Sequence, residues 1–312
     1  MNTAPLLRPR RVTATLVAAM ATAALLAGCS TPGSEDGTPT AGAESGSGAE
    51  SFGLSPVDSV TALVPDDLAG KALTVAIYND GAPQQFLEDG KLVGIQPDFA
   101  QAVAEVSGLD FQASGVGSFD SIIPGLQGGR YDAAFVDFGV TEERQEIVDL
   151  VFQFVLPTGF AVREGAELTL DTQSDLCGIK LATLAGSYFI DQVEAISEEC
   201  VAGGEPAIDI QTFPTQTDAV LAVSTGRSDA YAVSSDQLAY AADQENAKLA
   251  VQAFEHEPLP QAIGVPKDSA LGPVVVEALK VLIADGTYQK ILDKWGISTA
   301  AITADQVVIN PL

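Results

Sequence analysis

The 312-residue sequence carries 42 Asp and Glu against 15 Lys and Arg, a formal charge of −27, and 46% of its residues are hydrophobic. Such a charge repels phosphate backbones and anionic headgroups, which excludes nucleic-acid binding by counterion release, and the apolar content is enough to build cores rather than a disordered chain. One histidine, His256, and the absence of a G-x-S-x-G motif leave little for a metal centre or a Ser-His-Asp triad.

At the N-terminus, Arg8, Arg10 and Arg11 precede an apolar run from Val12 to Gly28. A charged n-region, an apolar h-region and a small-residue cleavage site make a secretory signal, residues 1–28. The end of the run, Leu25-Leu26-Ala27-Gly28-Cys29, resembles the bacterial lipobox. That resemblance implies lipidation of Cys29 and an extracytoplasmic chain anchored to the cell membrane. An uncleaved anchor helix is the alternative, since about 17 apolar residues sit at the lower limit of a span. Removing residues 1–28 removes three arginines and no carboxylate, leaving 12 basic against 42 acidic residues and a charge of −30. Residues 30–51 are Gly, Ser, Thr, Pro, Ala and acidic residues with hardly an apolar side chain larger than alanine, so 29–62 reads as a flexible linker and order is expected near Leu63 to Leu68.

Beyond the linker the pattern alternates. Ala72 to Tyr78 reads as a strand, Gly90 as the turn of a hairpin between Gln85-Phe86-Leu87 and Lys91-Leu92-Val93, and Pro97 as the opening of a helix whose apolar face holds Phe99, Val103 and Val106. Phe111 to Ser114 is a strand, Phe119 to Leu126 a helix and Arg130 to Phe138 a buried strand. Thr141 caps a helix carrying Glu142 and Glu143 in its first turn, as the dipole prefers. Further strands are expected at Ile179 to Leu184, Ile208 to Phe213, Ala230 to Val233 and Ala262 to Val265, with helices from Ser187, over Thr215 to Ser224, Asp236 to Ala242, Leu271 to Ala284 and Thr287 to Lys294. Strands alternating with helices imply mixed sheets covered on both faces, in two α/β lobes. With Cys29 assigned to lipid, Cys177 and Cys200 remain as a pair that an oxidising exterior lets join. The rival reading, a redox or metal site, lacks partners, for there is no Cys-x-x-Cys. His256, between Glu255 and Glu257, reads as a loop residue.

Ligands of open α/β sheets bind at the carboxyl ends of strands, where helix N-termini offer free N–H groups. Three junctions qualify: Asp137-Phe138-Gly139-Val140-Thr141 leading to Arg144, Ala185-Gly186-Ser187-Tyr188, and Ser234-Ser235-Asp236. Arg144 suits bidentate capture of a carboxylate. Read from spacing alone, it better suits a surface pair with Glu143 or Asp149, and the third junction equally suits an ordinary cap.

Together with Gly90 to Gly94 and Asp98-Phe99-Ala100, the stretches Phe119 to Leu126, Gly129-Arg130-Tyr131-Asp132, Thr141 to Arg144 and Asp285 to Leu292 with Trp295-Gly296 resemble bacterial extracellular solute-binding protein family 3, the polar amino-acid receptors of ABC importers. The resemblance runs from about Lys71 to Asn310. It implies a type II periplasmic-binding-protein fold: two mixed sheets flanked by helices and joined by two crossing hinge strands, lobe 1 comprising 63–158 plus 264–312 and lobe 2 comprising 159–263. It also implies a monomer without cofactor, metal or catalytic residue that delivers a small zwitterion to a permease. Carried over, Arg144 holds the ligand carboxylate, helped by Ser187 and Tyr188; Asp137 and Gly139 offer strand-end contacts, and Phe119 packs on the ligand. The sections around Cys177 and Cys200 resemble members with a disulfide. Ser234 stands where the family's ammonium-binding aspartate is usual, Tyr78 where an acidic side chain often sits, and Gly81 where a lid aromatic is common. Asp137, or else Asp236 or Asp80, is expected to supply the negative partner; mutual neutralisation of Asp137 and Arg144 is the alternative. A ligand sensor with a modified pocket and a dehydratase of the same fold are the other functional readings.

Overall fold

Short branched runs alternating with helical periodicity give, in chain order, α1 (Asp58–Thr61), β1 (Ala72–Tyr78), β2 (Asp80–Gly81), β3 (Gln85–Glu88), β4 (Lys91–Val93), α2 (Ile95–Ser107), β5 (Asp110–Val116), α3 (Ile122–Gln127), β6 (Ala133–Gly139), α4 (Glu142–Ile147) and β7 (Val148–Arg163). There follow β8 (Lys180–Leu184), α5 (Phe189–Ala202), β9 (Asp209–Phe213), α6 (Gln216–Ser224), β10 (Ala230–Ser234), α7 (Ser235–Asp243), β11 (Leu249–Pro266), α8 (Leu271–Ala284) and α9 (Thr287–Lys294). This computed structural model describes residues 47–66, 68–244 and 248–312. The signal segment and Cys29 lie outside the described residues.

The main sheet has the order β5-β1-β6-β11-β7-β10-β8-β9, and β2, β3 and β4 form a small second sheet. β1 is parallel to β5 and β6 at one end, and β8 is parallel to β9 and β10 at the other. Between them the long antiparallel pair β7 and β11 belongs to both ends. The two expected mixed sheets are joined by the two crossing strands into one continuous ladder, because these strands pair with each other and with both flanks. The expected lobe boundaries fall inside β7 and β11. Val151, Phe152, Phe154 and Leu156 of β7 enter the core beneath α2 and α8, and Phe160 and Val162 enter the one beneath α5. His256, expected in a loop, pairs with Thr158 in this crossing. The β7–β11 register shifts between Val251 and Glu255 and between His256 and Leu259.

Helix α2 begins two residues before Pro97. Its Ile95 and Gln96 N–H groups donate to the Pro83 and Gln84 carbonyls, 3.1 and 2.8 Å away, and Pro97, without an N–H, occupies a first-turn position that needs none. Asp98, one residue on, accepts from Lys294 Nζ and Trp295 Nε1, each at 2.7 Å, and so docks the end of α9 onto α2. The C-terminal half of the expected linker is not free chain. Phe52, Leu54, Val57 and Val64 pack on the first core and Val60 is buried in it. The Phe52 and Leu54 N–H groups donate to the Glu105 carboxylate at 3.1 and 2.8 Å.

Candidate ligand-binding cleft

The end of β6 departs from ladder geometry. Phe138 pairs with Ala262 and Ala134 with Gly264, so β6 holds two more residues than β11 between these pairs, a bulge of the kind that re-aims side chains. Asp137 sits within it at φ 48°, a left-handed conformation that costs a non-glycine residue about 1–3 kcal/mol. Its buried carboxylate accepts from Gln85 Nε2 at 2.9 Å. Burial, then the nearby Asp236 charge, push its pKa well above the ordinary aspartate value, opposed by Gln85 and Arg144.

Thr141 caps α4, its hydroxyl accepting the Arg144 N–H at 3.2 Å. The cap sets Arg144 so that its guanidinium reaches across the cleft: Nη1 donates to the Gly139 carbonyl at 2.7 Å and Nη2 to the Gly186 carbonyl at 2.8 Å, one from each side. Arg144 is buried, and Asp149 is taken by Lys267 and Asn310, so the surface-pair alternative does not hold. Nor does it bond the Asp137 carboxylate. Burial weighs against the guanidinium charge, and Asp191, Tyr188, Glu143 and Asp137 favour it.

Opposite stands Tyr188, whose ring lies so close to Gly139 that a Cβ there would meet Tyr188 Cδ1 at 2.1 Å. Only glycine permits this contact. The Tyr188 hydroxyl accepts from Gln261 Nε2 at 3.2 Å, and burial raises its pKa. Ser187 does not cap α5, which begins at Phe189; its hydroxyl donates to the Leu184 carbonyl at 2.7 Å and tightens the turn. Asp236, in the first turn of α7, accepts from Gln84 Nε2 at 2.6 Å through Oδ2, and its Oδ1 is buried without a partner. Burial raises its pKa as well. Ser234 donates to Gln237 Oε1 at 2.7 Å, and Gln237 Nε2 donates to the Gly81 carbonyl at 3.2 Å.

Tyr78, Phe119, Asp137, Ser187 and Tyr188 thus line one cavity. Gly139, Arg144 and Ser234 do not line it: Gly139 lies against the Tyr188 ring, Arg144 bonds the Gly139 and Gly186 carbonyls, and Ser234 bonds Gln237, which does line it. Asp80 is elsewhere, accepting from the Thr217 N–H and hydroxyl at 3.0 and 2.6 Å. Sequence reasoning missed Gln85, Gln216 and Gln237 as lining residues; uncharged amides carry no pattern, although Gln216 and Gln237 do sit in first turns of helices at strand ends. The cavity measures about 10 Å³, the space of about one water, so any larger ligand enters only as the two sides part. Among the described residues, no three His, Cys, Asp or Glu side chains converge as a metal site, and no helix is long and apolar enough to cross a membrane. Cys177 and Cys200 form a disulfide with their Cα atoms 5.6 Å apart.

Known proteins share this fold. Residues 73–298 match the bacterial extracellular solute-binding proteins, family 3. The arginine-binding protein ArgT of Corynebacterium glutamicum is 31% identical over 266 residues, 84% of this chain and 86% of that protein. The L-cystine-binding protein TcyJ of Escherichia coli is 27% identical, covering 67% of this chain and 76% of its own length. Among solved structures, an ancestral arginine-binding protein bound to arginine superposes with a TM-score of 0.64 at 30% identity, over 72% of this chain and 97% of that one. An ancestral amino acid-binding protein described as a precursor of cyclohexadienyl dehydratase gives 0.61 at 27% identity, over 72% and 95%. The chain is a member of family 3 of the bacterial extracellular solute-binding proteins, with their periplasmic-binding-protein fold.

Proposed function

We propose that this chain is the substrate-binding lipoprotein of an ABC importer, held outside the cell membrane through Cys29, that closes its two lobes on an amino acid and delivers it to the permease without chemical change. The observation that carries the reading is Arg144, buried, bonded to one carbonyl from each side of the cleft and near Asp137, which in turn is near Asp236. A carboxylate entering the cleft exchanges those two carbonyls for charge-assisted, bidentate bonds. Asp137 and Asp236, both held toward the neutral form by burial, lose that penalty when an ammonium arrives between them. Gly139, Phe119, Ser187 and Tyr188 supply the walls, Tyr78 the far end, and Ser234 the support of Gln237. A ligand touching both lobes favours the closed state by its differential affinity. The arginine and cystine relatives agree with an amino acid as ligand.

Isothermal titration of the purified protein with the common L-amino acids tests this. Tight binding of at least one, weakened by about 2–5 kcal/mol in Arg144→Ala, is the expected result; binding indifferent to Arg144 rejects the assignment.

The dehydratase reading retains one point in its favour: burial raises the pKa of two cleft carboxyls, the direction a general acid needs. Turnover of a cyclohexadienyl carboxylate, abolished by Asp236→Asn, would replace the binding reading with it.

A further inference from the structure

Beside the cavity, on the other side of Gln216 and Gln237, a groove of about 250 Å³ runs between β2 and the helices α6 and α7. Gln216 and Gln237 line both spaces and so stand between them, the Gln237 amide bonded to the Gly81 carbonyl. Gly81 sits against this partition. A Cβ there would meet Gln85 Nε2 at 2.9 Å, Gln237 Nε2 at 3.0 Å and Tyr78 Cδ1 at 3.3 Å, so any side chain at 81 would press into the passage between the two spaces.

The groove contains a polar atom with nothing to bond. Tyr231, on β10, lines it, is buried, and its hydroxyl has no partner. The Tyr78 hydroxyl, reaching from the opposite lobe, is also buried outside hydrogen-bonding geometry, with the Gln216 backbone N–H directed toward it. Burial raises the pKa of Tyr231, and the neighbouring Tyr78 and Asp80 add to the rise. Two neutral hydroxyls and the Asp80 carboxylate therefore meet at the corner between cavity and groove. Asp80 already accepts two bonds from Thr217, and a carboxylate has about four lone-pair sites, so it retains capacity. Val220 and Tyr240 give the groove apolar flanks, and no lysine or arginine lines it. Such a corner suits a group rich in N–H donors on an apolar stem, and it repels a carboxylate.

We propose that this groove is the side-chain compartment of the ligand site, entered by displacing the Gln216 and Gln237 amides, and that it selects a long side chain ending in a cationic group. The proposal rests on the amino-acid reading above and adds Tyr231 and the groove as determinants of which amino acid is taken. Because β2 belongs to one lobe and α6 and α7 to the other, a side chain lying there also strengthens closure.

The test is calorimetric titration of the purified protein with L-arginine, L-lysine, L-glutamate and L-alanine. It is repeated on Tyr231→Phe, which removes only the hydroxyl, and on Val220→Trp, which fills the groove. Arginine and lysine are expected to bind at least about tenfold tighter than alanine, with glutamate weakest. Tyr231→Phe is expected to lose about tenfold for the cationic pair and nothing for alanine, the worth of one hydrogen bond to a charged group. Val220→Trp should show the same selective loss, with unchanged circular dichroism. Equal affinity for arginine and alanine, or arginine binding that both variants leave intact, overturns the compartment while the amino-acid reading stands. A wild-type protein that binds none of the four overturns the compartment, and the titration with the common L-amino acids then decides whether the amino-acid reading falls with it.

Discussion

Asp137 combines a strained backbone, burial and a second carboxylate nearby, three costs that a structural residue has no reason to retain. They have a consequence for pH. With its pKa raised in the folded state, Asp137 binds a proton in the window above the ordinary aspartate value where the unfolded chain binds none, so stability falls as pH rises through that window. Asp137→Asn removes this slope, and asparagine tolerates the left-handed backbone. The variant is expected to melt higher than wild type at pH 7 and together with it below pH ~4, which melting curves of the two proteins across pH will check. Tyr288, whose hydroxyl is raised to about 12 by burial, stays neutral throughout that range. At this scale the sequence was legible where the signal was local: Thr141, Gly139 and Arg144 lie within six residues, and a cap plus a first-turn arginine at a strand end is a pattern. The pairings that complete the cleft join Gln85 to Asp137 across 52 positions and Gln84 to Asp236 across 152. No spacing rule connects them, and only the fold shows which carboxylate faces which amide.

The helices obeyed their periodicity. α2, α5, α8 and α9 lie within a few residues of where 3.6-residue spacing puts them, because each buries one apolar stripe on a sheet face. The crossing strands did not announce themselves. β7 and β11 run 16 and 18 residues, beyond the usual strand length of about 3–10. β7 is apolar on both faces and interrupted by Pro157; β11 carries Glu255, His256, Glu257, Pro258 and Pro260, which read as loop. Their length comes from pairing with each other, a tertiary cause that neither segment displays alone. α5 is tied to the turn before β8 by Cys177–Cys200, closing a loop over a separation of 23 residues. Replacing both cysteines with serine is expected to cost about 3 kcal/mol, or about 6–12 °C in Tm, read by scanning calorimetry, with ligand affinity retained because the bridge lies outside the cleft.

Over the whole molecule, the first core depends on chain that composition alone assigned to a linker. Phe52, Leu54, Val57 and Val60 are spaced among Ser, Gly and Pro, so no period marks them, yet they cover α2 and α8. Glu105 fixes the segment. Burial works against its charge, but hydrogen bonds from Ser51, Gln101 and the Leu54 and Phe52 N–H groups outweigh it and hold the carboxyl below its ordinary value. A chain starting at residue 60 is therefore expected to be about 2–4 kcal/mol less stable than one starting at residue 47, from lost apolar burial, as urea denaturation will measure. The two-lobe architecture was legible from the alternation of strands and helices, whereas its continuity through a single sheet was not. The same segment decides where mechanical load goes. A pull on residue 47 passes through the Gly48–Leu92 and Glu105 contacts into α2 and the first core, to which both crossing strands contribute at their near ends. Under the anchoring proposed through Cys29, the protein would hang by its first core, and tension would reach that half before the other.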